Sequence, residues 1–375
     1  MVACYDKIHS MKIGIDARLY GTHGRGIGRY ITSIIRELES MDTHNEYVVF
    51  VSKQSNREYQ PRNSRFTKIL ADCRWYSLKE QVVMPILIRR ANISLMWFPH
   101  FNVPFCYHKP CIVTIHDLIL HHFSDERATT RNWAIYALKR WAYFLICRNA
   151  IQQAKTVIAV SEYTKQDIIN FYPSTKHKIK TIYEGVDVLP LPDETQQEQI
   201  VHTYGITKPF CLYVGAAYPH KNLKTAINGF MQFQKLCSQN QKQYMFVIVG
   251  QKDYFHRQLA MWFRATYPHN QDAVRWIGYV PDQELAVLYH LSYALLYPSL
   301  YEGFGLPPVE AIAYGCPVVA SNCSSLPEIL TDNAMFVNPH SSEDICHALT
   351  AISPIVPRSL YKWNKCAQET LQCFN

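Results

Sequence analysis

One stretch of the sequence decides the fold class: Tyr297-Pro-Ser-Leu-Tyr-Glu-Gly-Phe-Gly-Leu-Pro-Pro-Val-Glu-Ala-Ile-Ala-Tyr-Gly-Cys-Pro-Val-Val-Ala-Ser321. The apolar run 294–297 is typical of a short strand that is buried on both faces. Glu302-Gly-Phe-Gly follows as a loop whose glycines allow close approach of the backbone to a ligand. Pro307 and Pro308 favour the opening of a helix, since proline lacks the N–H group that has no partner there. The stretch therefore predicts a strand, loop, helix and second strand of an α/β fold.

A glycine loop that leads into a helix N-terminus is suited to bind an anion, because free N–H groups and the helix dipole both favour negative charge. Two carboxylates, Glu302 and Glu310, flank this position. Since carboxylates repel phosphate, we expect them to accept hydrogen bonds from hydroxyl groups instead. A ligand that offers both phosphate and several hydroxyls is a nucleotide sugar. For each residue alone, a plain turn or a charge that complements the helix dipole remains the alternative.

Length and composition predict a two-domain globular protein. The chain has 375 residues, of which 48% are hydrophobic and 18% charged, and this length suits two hydrophobic cores. We find no apolar run of about 18 residues that would predict a membrane-spanning helix, and no apolar signal core at the N-terminus. The 12 cysteines form no Cys-x-x-Cys pair, which favours free thiols and a cytoplasmic protein without bound metal.

Charge is unevenly distributed along the chain. Residues 1–190 contain 26 of the 38 Lys and Arg residues and 16 of the 30 Asp and Glu residues. Residues 191–375 contain the remaining 12 Lys and Arg and the remaining 14 Asp and Glu. The basic half is compatible with an anionic acceptor or with the inner surface of an anionic membrane. The basic residues are scattered, so a solvated surface remains an alternative, and we do not expect nucleic-acid binding.

Near the N-terminus, the strand 12–18 is followed by a glycine loop and a predicted helix over 31–38. The loop does not have the spacing G-x-G-x-x-G, so it does not favour binding of NAD. Gly26 lies in this loop, and Arg25 and Arg29 are candidates for binding an acceptor or a diphosphate. A solvated pair of arginines is the alternative.

One sequence motif closely resembles the donor-binding signature of glycosyltransferase family 4. It is Tyr-Glu-Gly-Phe-Gly-Leu-Pro-Pro-Val-Glu-Ala, in which Glu302 and Glu310 have the spacing of that signature. The words Phe-Pro-His-Phe-Asn-Val-Pro and Thr-Ile-His-Asp-Leu resemble motifs of its N-terminal domain, and the resemblance covers about residues 11–373. It implies the GT-B fold, with two Rossmann-like, doubly wound α/β domains that face each other across a cleft, and a C-terminal helix that crosses back to the first domain. We expect an N-terminal domain over 1–188, a linker over 189–200, a nucleotide-sugar domain over 201–356 and the returning helix in 357–375.

The same resemblance implies roles for individual residues. His116 contacts the donor sugar and the leaving phosphate, Glu302 binds sugar hydroxyls and Lys221 neutralises the diphosphate. The remaining donor-binding residues, by the same comparison, are Gly26, His220, Tyr279, Val280, Phe304, Gly305, Leu306 and Glu310. Two positions depart from the family pattern. Ala216 stands where many members have an arginine, for which Arg25 or His220 would have to substitute, and Glu184 stands where asparagine is frequent.

These expectations combine into one hypothesis: a retaining transferase that uses no metal or other cofactor. No Asp-x-Asp motif occurs in the sequence. The Tyr-Pro-His-Lys-Asn variant is similar to mannosyltransferases of bacterial surface polysaccharide assembly, so the expected donor is GDP-mannose and the acceptor a glycan or a lipid-linked sugar. Two alternatives remain: a nucleotide-binding module without activity, and a glycoside hydrolase whose acid and nucleophile are the two glutamates.

Overall fold

The computed structural model describes residues 10–21, 25–123 and 133–374. The chain divides into two compact units. Unit 1 contains Met1–Gly185 together with Trp363–Asn375, and unit 2 contains Val186–Lys362.

Unit 1 is built on a seven-stranded parallel sheet with the strand order β3-β2-β1-β4-β5-β6-β7. Its elements in chain order are β1 (Lys12–Asp16), α1 (Arg25–Met41), β2 (Glu46–Val51), α2 (Lys53–Glu58), β3 (Phe66–Leu70), α3 (Leu78–Arg90), β4 (Leu95–Phe98), β5 (Cys111–Ile115), α4 (Ile119–His122), α5 (Trp133–Gln153), β6 (Thr156–Ala159), α6 (Glu162–Phe171) and β7 (Ile179–Thr181). A 3₁₀ helix, Pro173–Lys178, precedes β7.

Unit 2 contains a six-stranded parallel sheet with the order β10-β9-β8-β11-β12-β13. Its elements are α7 (Glu194–Thr203), β8 (Phe210–Val214), α8 (Leu223–Gln239), β9 (Met245–Val249), α9 (Tyr254–Thr266), β10 (Val274–Ile277), α10 (Asp282–Leu291), β11 (Ala294–Tyr297), α11 (Leu306–Ala313), β12 (Val318–Ser321), α12 (Leu326–Leu330), β13 (Met335–Val337) and α13 (Ser342–Ala351). Short 3₁₀ helices lie at Pro219–Lys221, Gln271–Ala273 and Thr331–Asn333.

The two sheets share one strand order, which is that of a Rossmann-like fold. In each sheet the order reverses between two neighbouring strands, β1 and β4 in unit 1 and β8 and β11 in unit 2. The central strands are buried along their whole length, as parallel strands covered by helices on both faces must be. Ligands of such sheets bind beyond the carboxyl ends of the strands at the reversal, so these ends locate the candidate sites.

Helix α7 begins inside the segment 189–200 that was expected to be a linker. Asp193 caps it by accepting a hydrogen bond from the backbone N–H of Gln196 at 2.8 Å. Prolines occur in the segment only before this cap, at Pro190 and Pro192, so the polar residues that follow are free to form a helix.

The last helix, α14 (Trp363–Phe374), belongs to unit 1 and packs against α1. The rings of Trp363 and Tyr30 pack edge to face with their centroids 5.9 Å apart, and the ring centroids of Phe374 and Trp97 are 6.0 Å apart. The predicted return of the C-terminal helix to the first domain is therefore confirmed. The helix occupies only part of the expected segment 357–375, because residues 352–362 are non-helical and include Pro354 and Pro357.

Helix α1 begins at Arg25, six residues earlier than predicted. The prediction treated Gly26 and Gly28 as loop residues, but both lie in the first turns of the helix. A Cβ on Gly28 would come 2.2 Å from the carbonyl oxygen of Gly21 and 2.7 Å from that of Leu19, whereas nothing lies within 4 Å of one on Gly26. Gly28 thus permits close backbone packing, which is a reason for glycine inside a helix.

Among the helices that the structure describes, none combines the length and the apolar character needed to cross a bilayer. Every cysteine within the described ranges is a free thiol.

The two glycines of α1 offer a paired test of this packing. We expect Gly28→Ala to lower the free energy of unfolding by about 1–3 kcal/mol, because the added methyl group meets backbone atoms that cannot move aside. Gly26→Ala should raise it by up to about 1 kcal/mol, because alanine is the better helix former and has room. Denaturant unfolding of the ligand-free variants measures both effects. Equal effects of the two substitutions would contradict this account of α1.

Candidate functional site

In unit 2 the site is built from two loops that follow neighbouring strands. The loop after β8 and the loop after β11 are joined by a hydrogen bond from the N–H of Leu300 to the carbonyl oxygen of His220 at 2.7 Å. The Asn222 side chain adds hydrogen bonds to the carbonyl oxygens of Pro298 at 3.1 Å and Pro339 at 2.6 Å. Asn222 is in the left-handed conformation, with φ of 59°, which asparagine tolerates better than most residues. These contacts hold the two loops together.

Across this junction Lys221 forms an ion pair with Glu302. The Lys221 Nζ atom lies 2.7 Å from Oε1 and 2.8 Å from Oε2 of Glu302, and the two side chains are only 15% and 8% exposed. Burial alone would raise the pKa of Glu302, but the charge and hydrogen bonds of Lys221 outweigh it and lower that pKa below its usual range. Glu302 is thus an ionised carboxylate that can only accept hydrogen bonds.

His220 is buried beside this pair. Burial and the neighbouring charge of Lys221 lower its pKa to about 4, although the charge of Glu302 acts in the opposite direction. The imidazole is therefore neutral near pH 7. It can offer a hydrogen bond to a diphosphate, but at this pH it does not supply the positive charge of the arginine that the sequence lacks at Ala216.

Helix α11 begins directly after the Glu302 loop. Gly305 precedes it in the left-handed conformation, with φ of 92°, and a Cβ there would come 2.8 Å from the Leu326 side chain. Since Pro307 and Pro308 have no N–H groups, the donors at this helix end include the N–H groups of Gly305 and Leu306. The helix dipole adds partial positive charge at the same end.

Glu310 is buried on α11, where its Oε2 atom accepts a hydrogen bond from the Tyr289 hydroxyl at 3.0 Å. A carboxylate has about four acceptor positions on its two oxygens, so this bond orients Glu310 and leaves acceptor capacity for a hydroxyl group. The segment predicted to meet the nucleotide base follows β10. There the Tyr279 side chain is exposed and that of Val280 is buried.

In unit 1, His116 follows β5 and is held on both sides of its ring. Its Nδ1 atom lies 2.8 Å from Oε1 of Glu184, and its Nε2 atom lies 3.0 Å from the carbonyl oxygen of Pro99. The ring of Tyr30 meets it edge to face at 4.7 Å. Burial would lower the pKa of His116, but the hydrogen bond and charge of Glu184, with the Pro99 carbonyl, raise it above its ordinary value.

The remaining predicted residues of unit 1 lie on α1. Gly26 is exposed and Arg29 is half-buried. Arg25 is the first residue of the helix, but its side chain lies outside the described residues.

Within unit 2 the structure brings Lys221, Glu302 and His220 together, and it places Phe304, Gly305 and Leu306 immediately beyond them in the chain. Three residues with clear structural roles at these sites were not predicted from the sequence: Asn222, Tyr289 and Glu184. Asn222 is the last residue of the Tyr-Pro-His-Lys-Asn variant, and Glu184 replaces an asparagine that is frequent at its position, whereas Tyr289 had no signal in the sequence.

Over the residues that the structure describes, no group of three or more His, Cys, Asp or Glu side chains is placed to hold a metal ion.

Two family models match the chain, one over most of unit 1 and one within unit 2. Residues 24–188 match the model described as Glycosyltransferase Family 4, and residues 194–353 match the model described as Glycosyl transferases group 1. Together they span most of the chain.

Individual relatives extend this similarity. The chain is 27% identical over 302 residues to an O-antigen chain mannosyltransferase, RfbU, of Salmonella typhimurium. The aligned residues cover 80% of this chain and 76% of the relative. It is 24% identical over 379 residues to O-antigen chain mannosyltransferase B of Escherichia coli, with 93% and 95% covered. Among solved structures, Anabaena Alr3699/HepE in complex with UDP and glucose matches with a TM-score of 0.71, at 16% identity, over 98% of this chain and 99% of that protein.

The buried pair in unit 2 predicts a pH-dependent contribution to stability. Because the pKa of Glu302 is lowered by folding, the pair stabilises the folded state above the unfolded glutamate pKa of about 4.3, and this is lost as the pH falls through the lower, folded pKa. Glu302→Gln removes one partner of a buried pair, which we expect to cost roughly 3–5 kcal/mol near pH 7.

Denaturant unfolding across this pH range measures the effect. The difference between wild type and Glu302→Gln should shrink on acidification. Glu343→Gln, which changes an exposed glutamate of unit 2, is the matched control and should unfold like wild type. A difference that stays constant with pH would contradict the proposed charge state of Glu302.

Proposed function

The chain belongs to glycosyltransferase family 4, a family of enzymes with the GT-B fold, and from this premise we propose that it transfers a hexose from a nucleotide sugar to a glycan or a lipid-linked acceptor. The donor that we propose is GDP-mannose, and the process is the assembly of a surface polysaccharide.

One arrangement carries the proposal: the Lys221–Glu302 pair beside the start of α11. Lys221 and the N–H groups of Gly305 and Leu306 suit the diphosphate of a donor. The ionised Glu302 and the oriented Glu310 suit hydroxyl groups, which we assign to the sugar and to the ribose, respectively. Backbone groups of Tyr279 and Val280 are assigned to the nucleotide base.

We further propose a retaining mechanism without metal. The acceptor hydroxyl attacks C1 of the sugar on the face from which the diphosphate leaves. The bond from C1 to the phosphate oxygen breaks, the bond from C1 to the acceptor oxygen forms, and the leaving phosphate takes the acceptor's proton. Negative charge grows on the diphosphate, and Lys221 with the helix start stabilises it. The loss of one such donor typically costs about 10²–10³ in kcat.

The donor assignment is supported by relatives whose names state mannosyltransferase activity in O-antigen chains. The structural neighbour that binds UDP and glucose defines the competing donor class, so guanine and uracil nucleotides must be compared directly.

The two rival functions are weaker on the same geometry. A glycoside hydrolase needs one carboxyl group whose pKa is raised so that it can act as an acid, but the pKa of Glu302 is lowered and Glu310 is held by Tyr289. A binding module without activity has no leaving group whose growing negative charge Lys221 would have to stabilise. Measurements of transferase activity distinguish such a module from an enzyme.

We also propose that unit 1 contacts the inner face of a membrane. Leu78 and Val82 lie four residues apart on α3, hence on one helix face, and are 88% and 60% exposed. Phe105, also exposed, is tied to α3 by a hydrogen bond from its N–H to Oε1 of Gln81 at 2.6 Å. The exposed cations Arg74 and Lys79 flank this patch, and such a combination suits an anionic lipid surface.

Nucleotide binding tests the proposed function first. At about 100 times its dissociation constant, a true ligand stabilises the folded state by about 2.7 kcal/mol. In the presence of EDTA we expect GDP to raise the Tm, and UDP, ADP and NAD to raise it much less. A shift with UDP alone would change the donor class, and no shift with any of the four would contradict the function.

Glu302→Gln should keep GDP binding but lose transfer from GDP-mannose, whereas full activity in this variant would refute the role of Glu302.

Vesicle sedimentation tests the membrane contact. We expect the double variant Leu78→Ser/Val82→Ser to bind vesicles of phosphatidylglycerol at least about tenfold more weakly than wild type, since each buried aliphatic side chain contributes about 1.5–3 kcal/mol. Leu236→Ser/Met261→Ser, which changes two exposed apolar side chains of unit 2, is the matched control. Equal binding by both variants, or no binding by wild type, would contradict the proposal.

A further inference from the structure

The environment of His116 places an acceptor against each ring nitrogen. The Pro99 carbonyl faces Nε2 at 3.0 Å and the Glu184 carboxyl group faces Nδ1 at 2.8 Å. A carbonyl oxygen can only accept, so Nε2 must carry a hydrogen to make its bond. A neutral ring with its hydrogen on Nε2 would then point the Nδ1 lone pair at the carboxyl group of Glu184.

The contact with Glu184 is therefore made only if the pair holds one further proton. If Glu184 is ionised, this proton lies on Nδ1 and His116 is an imidazolium ion. The His116 side chain is 12% exposed and that of Glu184 is 6% exposed, so water does little to screen the attraction between them.

The other titratable groups around the pair favour this charge state. In the segment after β4, His100 is kept neutral because burial and the charges of His116 and Arg18 lower its pKa to about 3. From α1 and α14, burial above all raises the pKa values of Tyr30 and Cys366, so both are neutral near pH 7. Asp117 acts with Glu184 to favour a proton on His116.

We propose that Glu184 is a positioning residue for His116, holding the imidazole doubly protonated so that its Nε2–H group can pass from the Pro99 carbonyl to an anionic oxygen of a phosphate ligand. That this ligand belongs to a nucleotide rests on the proposed function. The bond to Glu184 stays in place during the exchange, as a fixed carboxylate orients a histidine whose other nitrogen works. The phosphate oxygen then accepts a charge-assisted hydrogen bond, which is roughly twice as strong as a neutral one.

One feature of this chain sets the charge on His116. Glu184 stands where asparagine is frequent in the family. An asparagine has no charge with which to hold a second proton on the ring, so the carboxylate at this position changes what His116 can donate.

The first experiment measures the protonation of His116 in the full-length protein without any ligand. In ¹⁵N spectra of the imidazole groups near pH 7, we expect both ring nitrogens of His116 to be protonated in wild type. In Glu184→Gln only one should be, because the glutamine side chain can donate its amide N–H to a bare Nδ1. Asp167→Asn is the matched control: it removes the carboxylate that binds His122 at 2.8 Å in the same unit and that also acts on His121, so it should change the signals of these two histidines and leave those of His116 unchanged. A singly protonated His116 in wild type would overturn the inference.

The second experiment measures GDP affinity as a function of pH. Because Glu184 raises the pKa of His116, wild type should keep its affinity to higher pH than Glu184→Gln. Near pH 7 the variant should bind GDP about tenfold more weakly, the two should converge on acidification when both rings are protonated, and Asp167→Asn should bind like wild type. An equal loss at every pH would indicate a merely structural role and refute the proposal. If wild type does not bind GDP or inorganic pyrophosphate at any pH, the donor contact and the proposed function both fail, while the spectra still decide the protonation state.

Discussion

The ion pair between Lys221 and Glu302 is the interaction on which the candidate donor site depends. Desolvating two charges is costly, and such a pair is tolerated only where its geometry is good and its remaining hydrogen bonds are satisfied. The bonds of Asn222 and Leu300 support this geometry because they fix the two loops relative to each other. A diphosphate that approached Lys221 would compete with Glu302 for the ammonium group, so donor binding and the charge balance of the loop are coupled.

The two units use the same type of sheet to present different side chains. Each has a parallel sheet whose strand order reverses once, and each presents polar side chains beyond the strand ends near that reversal. In unit 2 these side chains combine a cation, two carboxylates and a helix start. In unit 1 they centre on a histidine that is held by a carboxylate. A common scaffold thus supports two chemically distinct sets of residues.

The sequence predicted most of what depends on local pattern. The strand before the Glu302 loop and the proline-opened helix after it follow from an apolar run and from the position of the prolines, and the structure confirms them. The edge strand β3 was not predicted because Thr67 and Lys68 interrupt its apolar residues, and β13 was not predicted because it is only three residues long. The bond of His116 to Glu184 joins residues 68 positions apart, so only the folded chain shows it.

The return of α14 to unit 1 has a consequence for biosynthesis. Unit 2 is inserted, in sequence terms, into a domain whose helix α14 is synthesised after all of unit 2. Domains generally fold as units while the chain is made. Although it comes later in the sequence, unit 2 can therefore complete its fold first, while unit 1 waits for α14 to cover Tyr30 and Trp97. A chain that stops short of α14 would leave the first-made half of the protein as the unfinished one.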